Sequence, residues 1–586
     1  MSNKKHKVDE KYGGELVVET LSKFGVKTIF TMCGGHISPI LVACKHLGVK
    51  LIDTRHEVTT VFAADALARL SGLPGVAVVT AGPGLTNTIT AVKNAQLAQT
   101  PVILIGGATV TKLKGRGSLQ DIDQHALLKP HCKWVKTIKK VRDIPKILEK
   151  AFIISQSNVP GPVFIEIPLD ILYPENQVRT WYFDGQPTKK KSLYKTLETK
   201  YLNYHLNKIF KEINSVEIPP VPIIEKKKTA VQSISKVCSQ IKISKKPLFL
   251  LGNQVVMDPN LIDEIQKALK KLNIPIYLQS SARGLLEDNS IVFRHKRKLA
   301  IRESDLVILI GVPKDFRLNY GWVIRKSTYL VTVNLDKKEI NKNRRPKIGI
   351  NADPQSFILD LAKQIPENGN KWEDWLETLR TRDDERDTEI IEQEKGKTVN
   401  INPIHICKQV NEILDNQSMI VADGGDFVAT ASYTIQPRKA LSWLDPGAFG
   451  TLGVGAGFGL ASKLFRPNSE VWIIFGDGSV GYSLAEFDTF IRHKIPIIAI
   501  VGNDSGWTQV ERVQEDVFHE TIATELGFVA YEKVVQGFGA EGLVIRNDSE
   551  IKSTLLKAKE FAKSGKPVLI NVMIGKTEFR KGSISM

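Results

Sequence analysis

The sequence predicts an α/β protein built from three doubly wound parallel-sheet domains in succession. Short apolar runs of strand length alternate with amphipathic helical patterns in three separate blocks of the chain. The length of 586 residues is too great for one hydrophobic core and fits three or four domains. Glycine-rich turns that carry acidic residues follow some of the strand-like runs, which is where a doubly wound sheet binds its ligands.

The first predicted domain covers residues 10–180. Its apolar runs at 28–32, 76–80 and 102–106 indicate buried parallel strands, and amphipathic segments lie between them. This alternation is typical of βαβ units.

A polar segment, residues 181–229, follows as a linker or insertion. It contains a helical pattern with lysines around one apolar face, which is formed by Leu202, Leu206, Ile209 and Ile213. One interpretation is a connecting helix that packs on its own protein. The other is an amphipathic helix that makes a peripheral contact with a membrane surface.

Two further α/β blocks complete the predicted organisation. The central domain is expected at 230–365, and a charged linker at 366–399 separates it from the last domain at 400–574. A short polar tail, residues 575–586, comes after that domain.

Composition and charge argue against several classes of protein. The formal charge is +18, yet the lysines are scattered and no aromatic-interleaved basic stretch indicates nucleic-acid binding. The 5 cysteines form no CxxC pair, which argues for a reducing compartment and against a thiolate zinc site. No apolar run approaches the roughly 20 residues that span a bilayer, and no signal peptide is visible. We expect an intracellular protein that binds no nucleic acid.

The most informative motif is Gly476-Asp477-Gly478-Ser479, which follows the predicted strand at 471–475. The next predicted strand, at 497–501, is followed by Gly502-Asn503-Asp504-Ser505-Gly506. Two neighbouring strand ends therefore present oxygen ligands side by side, and the glycines let backbone N–H groups approach a phosphate. Mg²⁺ prefers a few protein oxygens together with phosphate and water. Two tight turns with incidental acids are the alternative, but the joint pattern favours a metal site.

This pair of motifs resembles the fingerprint of the thiamine-diphosphate-dependent enzymes. The resemblance implies thiamine diphosphate and Mg²⁺ as cofactors, with Asp477, Asp504 and the carbonyl of Gly506 as metal ligands. The family pattern has an asparagine where Asp504 stands, so Asn503 is an alternative ligand. The resemblance also places a further set of residues at the cofactor, namely Asp426, Phe427, Gly476, Gly478, Ser479 and Trp507.

A glycine-rich segment at 453–459 suggests a competing dinucleotide-binding interpretation. The strand that such a motif requires does not precede it, and no acidic residue closes a second strand. The segment that contains Gly450 and Leu452 instead resembles the family's turn beneath the thiazolium ring, where Leu452 would be the apolar wedge that bends the cofactor. A core leucine beside small residues is the alternative for Leu452.

Thiamine chemistry requires a carboxylic acid beside N1′ of the pyrimidine, in a poorly solvated pocket. The candidate is Glu57, which follows a strand-like run at 50–53 and heads a helical run. A glutamate in the first turn of a helix is usually a dipole-favoured cap. Taken with the later segment that contains Gly82 and Asn87, however, its surroundings resemble the pyrimidine-binding domain of the same family. The resemblance implies that Glu57 activates the cofactor.

His36 and Gln120, with Asp121 beside it, line up with positions near the reacting centre in this family. His36 follows two glycines at a strand end, which is a favourable place for a catalytic loop. A plain loop histidine is the alternative interpretation.

The resemblance covers most of the chain and points to the branch with acetolactate synthase, oxalyl-CoA decarboxylase and the 2-hydroxyacyl-CoA lyases. It implies cleavage of the C1–C2 bond of a 2-hydroxyacyl-CoA into formyl-CoA and an aldehyde one carbon shorter. One alternative is an acetolactate-synthase-type carboligase, which joins two 2-ketoacids. If the protein is not an enzyme, the alternative is a catalytically inactive, membrane-associated scaffold.

The resemblance also sets expectations for partners and location. It implies an acyl-CoA substrate and a homodimer or homotetramer with active sites between subunits. The central domain binds FAD or ADP in some members, but no motif here indicates either nucleotide. Animal members reside at the endoplasmic reticulum through an N-terminal anchor, and no such anchor is visible in this sequence. We therefore expect either association with that membrane or a cytoplasmic location.

Overall fold

The protein is described by a computed structural model that covers residues 11–183, 193–286, 290–366 and 371–580. The chain forms two compact units, Met1–Ala68 with Leu73–Ile224, and Arg69–Gly72 with Glu225–Met586. The described residues contain three six-stranded parallel sheets, one in the first unit and two in the second. This architecture confirms the predicted fold class.

The first sheet has the strand order β2-β1-β3-β4-β6-β5, and all its strand pairs are parallel. Every residue of β3, β4 and β6 is buried, as expected for strands whose two faces are both covered. The strands are β1 (Thr28–Thr31), β2 (Lys50–Asp53), β3 (Gly75–Val79), β4 (Val102–Ala108), β5 (Trp134–Thr137) and β6 (Val163–Pro168).

Helices connect these strands. They are α1 (Gly13–Lys23), α2 (Ser38–Leu47), α3 (Glu57–Ser71), α4 (Pro83–Thr86), α5 (Ile89–Ala98), α6 (Gln124–Leu128), α7 (Ile144–Gln156), α8 (Leu169–Leu172), α9 (Glu175–Phe183) and α10 (Leu193–Phe210).

Helix α10 lies in the segment for which the sequence allowed two interpretations. Leu206 and Ile209 are buried in the hydrophobic core of the first unit, and Ile213 packs against that core from just beyond the helix. Leu202 is half-buried. The connecting-helix interpretation therefore holds, and the membrane contact proposed for this face is wrong because the face is covered by its own protein.

The second sheet has the order β12-β11-β10-β7-β8-β9 and is again parallel. Its strands are β7 (Pro247–Leu251), β8 (Ile276–Leu278), β9 (Val292–Phe293), β10 (Leu306–Ile310), β11 (Tyr329–Val333) and β12 (Ile348–Ile350). The helices of this part of the chain are α11 (Val231–Ile243), α12 (Ile262–Leu272), α13 (Arg297–Glu303), α14 (Lys337–Asn341), α15 (Pro354–Gln364) and α16 (Glu373–Glu394).

The predicted charged linker at 366–399 contains the 22-residue helix α16. Only a narrow stripe of this helix is buried, and it includes Trp375 and Leu379. The indole of Trp375 donates a hydrogen bond to the carbonyl of Pro247 at 3.1 Å, which fastens the helix to the second sheet. The linker expectation overlooked this helix because one apolar residue per turn produces little amphipathic signal in a charged sequence.

The third sheet has the order β14-β13-β15-β16-β18-β17, which repeats the order of the first sheet. Its strands are β13 (Met419–Ala422), β14 (Trp443–Leu444), β15 (Val471–Gly476), β16 (Ile498–Asn503), β17 (Glu541–Ile545) and β18 (Val568–Met573). Its helices are α17 (Pro403–Ile413), α18 (Asp426–Thr434), α19 (Gly455–Phe465), α20 (Asp477–Val480), α21 (Phe487–Arg492), α22 (Thr508–Phe518), α23 (Tyr531–Gly537) and α24 (Ile551–Lys563). Of the predicted tail at 575–586, residues 581–586 lie outside the described part.

The strand orders define where ligands bind. In the third sheet the chain moves to one side after β13 and to the other side after β15, so a topological switch point lies between these two strands. The first sheet has the equivalent point between β1 and β3. Ligands of doubly wound sheets bind at the carboxyl edge beside such a point. We therefore expect ligands to bind at the turns that follow these four strands.

Candidate active site

Asp477 stands at the carboxyl end of β15, beside the switch point of the third sheet. One of its carboxylate oxygens accepts the N–H of Gly478 at 2.8 Å, and the other accepts the N–H of Gly506 at 3.0 Å. The turn after β15 is thereby joined to the turn after β16. Burial, together with the neighbouring carboxylate of Asp504, raises the pKa of Asp477 to about 7. Such a pair of acids is suited to a cation that compensates their charge.

The side chains of Asp504 and Asn503 have different hydrogen-bond partners. Asn503 is fully buried, and its amide donates to the carbonyl of Val529 at 3.1 Å and to the side-chain oxygen of Asn571 at 3.2 Å. Its own oxygen accepts the N–H of Ser505 at 3.3 Å. Asp504 instead approaches Asp477 closely enough to raise its pKa, and it accepts a hydrogen bond from the Thr508 hydroxyl at 2.6 Å. The geometry favours Asp504 as the available oxygen donor.

A glycine-lined cradle lies beside these acids. A Cβ on Gly476 would lie 3.1 Å from the carbonyl oxygen of Gly424, so the turns after β13 and β15 approach each other closely. Gly425 has a φ of 111°, a conformation that a side chain would strain, and it precedes the first residue of α18. A helix N-terminus with adjacent glycines is suited to a phosphate group.

Leu452 lies over this cradle, because a Cβ on Gly424 would overlap its Cδ2 atom. Gly450, two residues earlier, has a φ of 64° and open space around it. The competing dinucleotide interpretation finds no support here: residues 455–465 form α19, and a Cβ on Gly459 would overlap the side chain of Ile473 in the neighbouring strand. Those glycines therefore serve close helix–sheet packing.

Asp423 is a buried acid that the sequence motifs did not single out as a site residue. Its two oxygens accept the N–H groups of Gly453 and Gly455 at 2.8 and 2.7 Å, which fixes the turn that carries Leu452. Burial raises the pKa of Asp423 to about 7. Its place directly after β13 matches the place of Asp477 after β15, and this equivalence is the signal that could have identified it.

Asp426 and Phe427, the first residues of α18, support the cradle from the side. Asp426 forms a two-pronged ion pair with Arg512 at 3.0 and 3.1 Å. The ring of Phe427 packs against Gly502, since a Cβ there would overlap the ring. The sequence analysis did not predict Arg512 or Tyr531 as site residues. The Tyr531 hydroxyl donates to the carbonyl of Asp477 at 3.1 Å.

The remaining predicted cofactor residues of the third sheet lie in the same turns. The hydroxyl of Ser479 accepts the N–H of Gly476 at 3.0 Å and donates to its carbonyl at 3.1 Å, which closes the turn after β15. The indole of Trp507 lies against Gly478, where a Cβ would overlap the ring. The structure thus brings these residues together at one edge of the sheet.

These residues fit thiamine diphosphate and Mg²⁺. The buried Asp477, the half-buried Asp504, a glycine cradle and a helix N-terminus provide oxygen donors for a hard cation and N–H groups for a diphosphate. Among the described residues, no group of three or more His, Cys, Asp or Glu side chains is arranged to bind a metal ion by itself. A cation at Asp477 and Asp504 would accordingly need ligands beyond side chains, as Mg²⁺ sites that include phosphate and water do.

Glu57 is the first residue of α3, in the first unit, and its side chain is 7% exposed. The amide of Asn87 donates to Glu57 Oε2 at 2.9 Å. A Cβ on Gly84 would lie 3.4 Å from the other oxygen, Oε1. Glu57 is thus a buried carboxylate held by an amide from the turn after β3, which is what a proton-exchanging group in a dry pocket requires.

His36 and Gln120 also lie at the carboxyl edge of the first sheet. His36, in a 3₁₀ turn at Gly35–Ile37, pairs with the Thr80 hydroxyl at 3.1 Å across the switch point, and burial lowers its pKa. Gln120 has a φ of 63°, and its carbonyl oxygen would lie 2.7 Å from a Cβ on Gly82. Thr80 was not predicted, although its position directly after β3 pointed to this edge.

No helix in the described part of the chain is long and apolar enough to cross a membrane.

Three family models of thiamine pyrophosphate enzymes match the chain: the N-terminal TPP binding domain at residues 11–127, the central domain at 234–361 and the C-terminal TPP binding domain at 423–572. The chain is 47% identical to 2-hydroxyacyl-CoA lyase 2 of Danio rerio, over 100% of this chain and 95% of the relative. It is 44% identical to 2-hydroxyacyl-CoA lyase 2 of Homo sapiens, over 99% and 93%. Identity to a probable acetolactate synthase of Mycobacterium bovis is 28%, over 96% and 95%.

Proposed function

The chain belongs to the family of thiamine pyrophosphate enzymes, and we propose that it cleaves 2-hydroxyacyl-CoA thioesters. In this reaction the C1–C2 bond breaks, C2 with its hydroxyl oxygen leaves as an aldehyde one carbon shorter, and C1 takes up a proton and leaves as formyl-CoA. Atoms and electrons balance without an oxidant. The observation that carries the proposal is the full-length similarity to 2-hydroxyacyl-CoA lyase 2, which far exceeds the similarity to acetolactate synthase.

Glu57 has the role of proton exchange with the cofactor. When bound, thiamine diphosphate supplies a nucleophilic carbon and an electron sink beside the scissile bond. Burial keeps water away from Glu57, and Asn87 holds one carboxylate oxygen so that the other can face the ligand. His36, paired with Thr80, and Gln120 complete the polar groups that we assign to the reaction at this edge.

Asp477, Asp504 and the backbone carbonyl of Gly506 are the metal ligands in this proposal. The support is that Asp477 is buried and the neighbouring carboxylate of Asp504 raises its pKa, whereas the amide of Asn503 is engaged with Val529 and Asn571. The metal would anchor the diphosphate against the cradle that Gly424 and Gly425 line. Leu452, which lies against Gly424, would provide an apolar contact for the cofactor.

Asp504 offers a test of the metal assignment. We expect Asp504→Asn to bind thiamine diphosphate with Mg²⁺ within about 3-fold of wild type, because it keeps an oxygen donor and removes only the extra negative charge. Asp504→Ala, which removes the donor, should weaken binding by at least about 10-fold. Calorimetric titration of both variants measures this. Wild-type affinity in Asp504→Ala would show that residue 504 is not a ligand.

The function itself is tested by offering the protein, with Mg²⁺ and thiamine diphosphate, either 2-hydroxyacyl-CoAs or pyruvate. Formyl-CoA together with the shortened aldehyde is the expected product pair. Acetolactate from pyruvate, without cleavage of any 2-hydroxyacyl-CoA, would instead establish the carboligase alternative. The inactive-scaffold alternative finds no support because Glu57 and Asp477 are both retained.

The proposal extends to partners and location. It includes a homodimer or homotetramer with active sites between subunits, and residence at the endoplasmic reticulum. Resemblance to the family supports both, and sedimentation velocity and organelle fractionation measure them. FAD or ADP in the central domain is not part of the proposal, since no residue motif supports either nucleotide.

A further inference from the structure

Asn571 is a fully buried asparagine in strand β18, whose other five residues are apolar. Burying an amide costs free energy unless its polar atoms find hydrogen-bond partners. The side-chain nitrogen of Asn571 donates to the carbonyl of Val529 at 3.0 Å and to Glu532 Oε2 at 2.7 Å. Its side-chain oxygen accepts the amide nitrogen of Asn503 at 3.2 Å. Asn571 therefore links a carboxylate of α23 to the end of β16.

The hydrogen bonds continue into the turn after β16. The side-chain nitrogen of Asn503 also donates to the carbonyl of Val529, at 3.1 Å. The side-chain oxygen of Asn503 accepts the N–H of Ser505 at 3.3 Å. We call this series of hydrogen-bonded residues the amide relay, and its members are Glu532, Asn571, Asn503 and Ser505.

Ser505 has a backbone conformation that needs support. Its φ of 57° lies in the left-handed region, which a residue with a side chain adopts at a cost. Such a conformation persists where the surrounding structure fixes it. The N–H of Leu526 donates to the carbonyl of Ser505 at 2.8 Å, and the amide relay holds its N–H. Because Ser505 stands between Asp504 and Gly506, its conformation affects how these two proposed metal ligands are presented.

Glu532 determines the direction of the amide relay. A carboxylate accepts hydrogen bonds and donates none, so the amide of Asn571 must turn its nitrogen toward Glu532. The oxygen of Asn571 then faces the nitrogen of Asn503, and the oxygen of Asn503 is left for the N–H of Ser505. The Val529 carbonyl accepts one further amide hydrogen from each asparagine. A buried polar network whose groups are all bonded favours a single arrangement of its members.

We propose that Glu532 is a positioning residue for the metal site, because through the amide relay it fixes the turn that carries Asp504 and Gly506. The inference rests on the metal ligands of the proposed function and adds a residue that acts on them from a distance. The neighbouring residue supports this role for the start of α23: the hydroxyl of Tyr531 donates to the carbonyl of Asp477 at 3.1 Å. The first two residues of α23 therefore reach both turns of the metal site.

A glutamate in the first turn of a helix also has a simpler explanation. Its negative charge interacts favourably with the helix dipole, which stabilises the fold and has no bearing on a metal. Glu532 is the acidic residue in the first turn of α23, so this explanation applies to it. Two features favour the amide relay instead: Glu532 is only 7% exposed, and its carboxylate is directed to Asn571 by a hydrogen bond of 2.7 Å.

Two substitutions separate these explanations. Glu532→Asp keeps the charge but shortens the side chain by one methylene, so the carboxylate loses its contact with Asn571. Glu532→Gln removes the charge but keeps an oxygen that can accept the same amide. Affinity for Mg²⁺ is measured by calorimetry at saturating thiamine diphosphate. Loss of groups that support a metal ligand costs about 10- to 100-fold, so Glu532→Asp should raise the Kd by at least about 10-fold and Glu532→Gln by less than about 3-fold.

Asn571→Ala interrupts the amide relay one step nearer to the metal turn. It should also raise the Kd for Mg²⁺ by at least about 10-fold, and it tests the relay even where Glu532→Asp does not fold. Adding Glu532→Asp to Asn571→Ala should raise the Kd by less than about 2-fold further, since residues of one network are not additive. Glu264→Asp, at an exposed glutamate in the first turn of α12, is the matched control and should bind Mg²⁺ as wild type does.

The proposal is overturned by wild-type Mg²⁺ affinity in Glu532→Asp, by an equal or larger loss in Glu532→Gln, or by additive losses in the double variant. The thermal midpoint of unfolding, measured on cofactor-free protein, identifies a purely structural role. A lowered midpoint with unchanged Mg²⁺ affinity would show that Glu532 serves only the stability of the fold, which also overturns the proposal. Failure of the proposed function is distinguishable, because wild-type protein would then bind Mg²⁺ and thiamine diphosphate but cleave no 2-hydroxyacyl-CoA.

Discussion

Glu57→Gln is expected to lower kcat by at least about 100-fold and to leave the fold intact. Glutamine has nearly the same size, and its carbonyl oxygen can accept the Asn87 hydrogen bond, but it cannot exchange a proton with a ligand. The measurement is steady-state turnover of a 2-hydroxyacyl-CoA at saturating thiamine diphosphate and Mg²⁺. The thermal midpoint of unfolding, measured on the same sample, reports whether the variant is folded.

Glu198→Gln is the matched control for this experiment, because Glu198 is an exposed glutamate of the same unit. It should retain wild-type activity. More than roughly a tenth of wild-type kcat in Glu57→Gln would contradict the activating role, since general acid–base groups contribute about 10²- to 10⁴-fold.

Asp477→Ala should raise the Kd for thiamine diphosphate, in the presence of Mg²⁺, by at least about 100-fold. Loss of groups that merely support a metal ligand already costs about 10- to 100-fold in affinity, and this change removes a ligand itself. It also leaves the N–H groups of Gly478 and Gly506 without their acceptor. Asp477→Asn, which keeps one acceptor oxygen, separates this structural effect from loss of the metal, and it should bind the cofactor weakly as well.

Asp548→Ala, at an exposed aspartate of the same sheet domain, serves as the control and should bind the cofactor normally. Cofactor retained by Asp477→Ala at wild-type affinity would exclude the metal assignment.

A mixture of the two variants tests whether active sites are shared between subunits. Glu57→Gln and Asp477→Ala chains are unfolded together and refolded so that mixed dimers form. About a quarter of wild-type activity should return if each site takes one residue from each subunit.

The fold could be predicted from the sequence where strands are continuous apolar runs. The run at 102–106 is observed as β4, and that at 471–475 as β15. Runs of this kind are buried on both faces, so their composition alone identifies them. The edge strand β5 was not predicted, because its residues are only half-buried or exposed and its four residues, Trp-Val-Lys-Thr, include only two apolar ones.

Helices that depend on tertiary contacts were harder to predict. The burial of α10 is decided by where Leu206 and Ile209 meet the core, and periodicity cannot show whether an apolar face meets protein or lipid. Helix α16 was missed because its packing depends on single contacts such as Trp375 with Pro247. In both cases the deciding partner is remote in sequence.

In the candidate site, too, some residues are marked by local sequence and others depend on contacts remote in sequence. Asp477 and Glu57 are identifiable because each stands in a motif at a strand end or helix start, and the structure finds both buried. Asp423 and Thr80 could have been found only from their places after strands β13 and β3, because the hydrogen bonds through which they act reach residues far along the chain. Tyr531 stands at no strand end, and its bond to the carbonyl of Asp477 is likewise remote in sequence. The roles assigned to these site residues stay predictions until the variants are measured.

The first and third sheets share one strand order, and this has a consequence for the history of the molecule. A single ancestral gene segment, copied once within the chain, would be enough to generate both sheets. The turns after the equivalent first strands carry different residues: Gly34, Gly35 and His36 follow β1, and Gly424, Gly425 and Asp426 follow β13. The proton-exchanging half and the metal-binding half would then be descendants of the same loop.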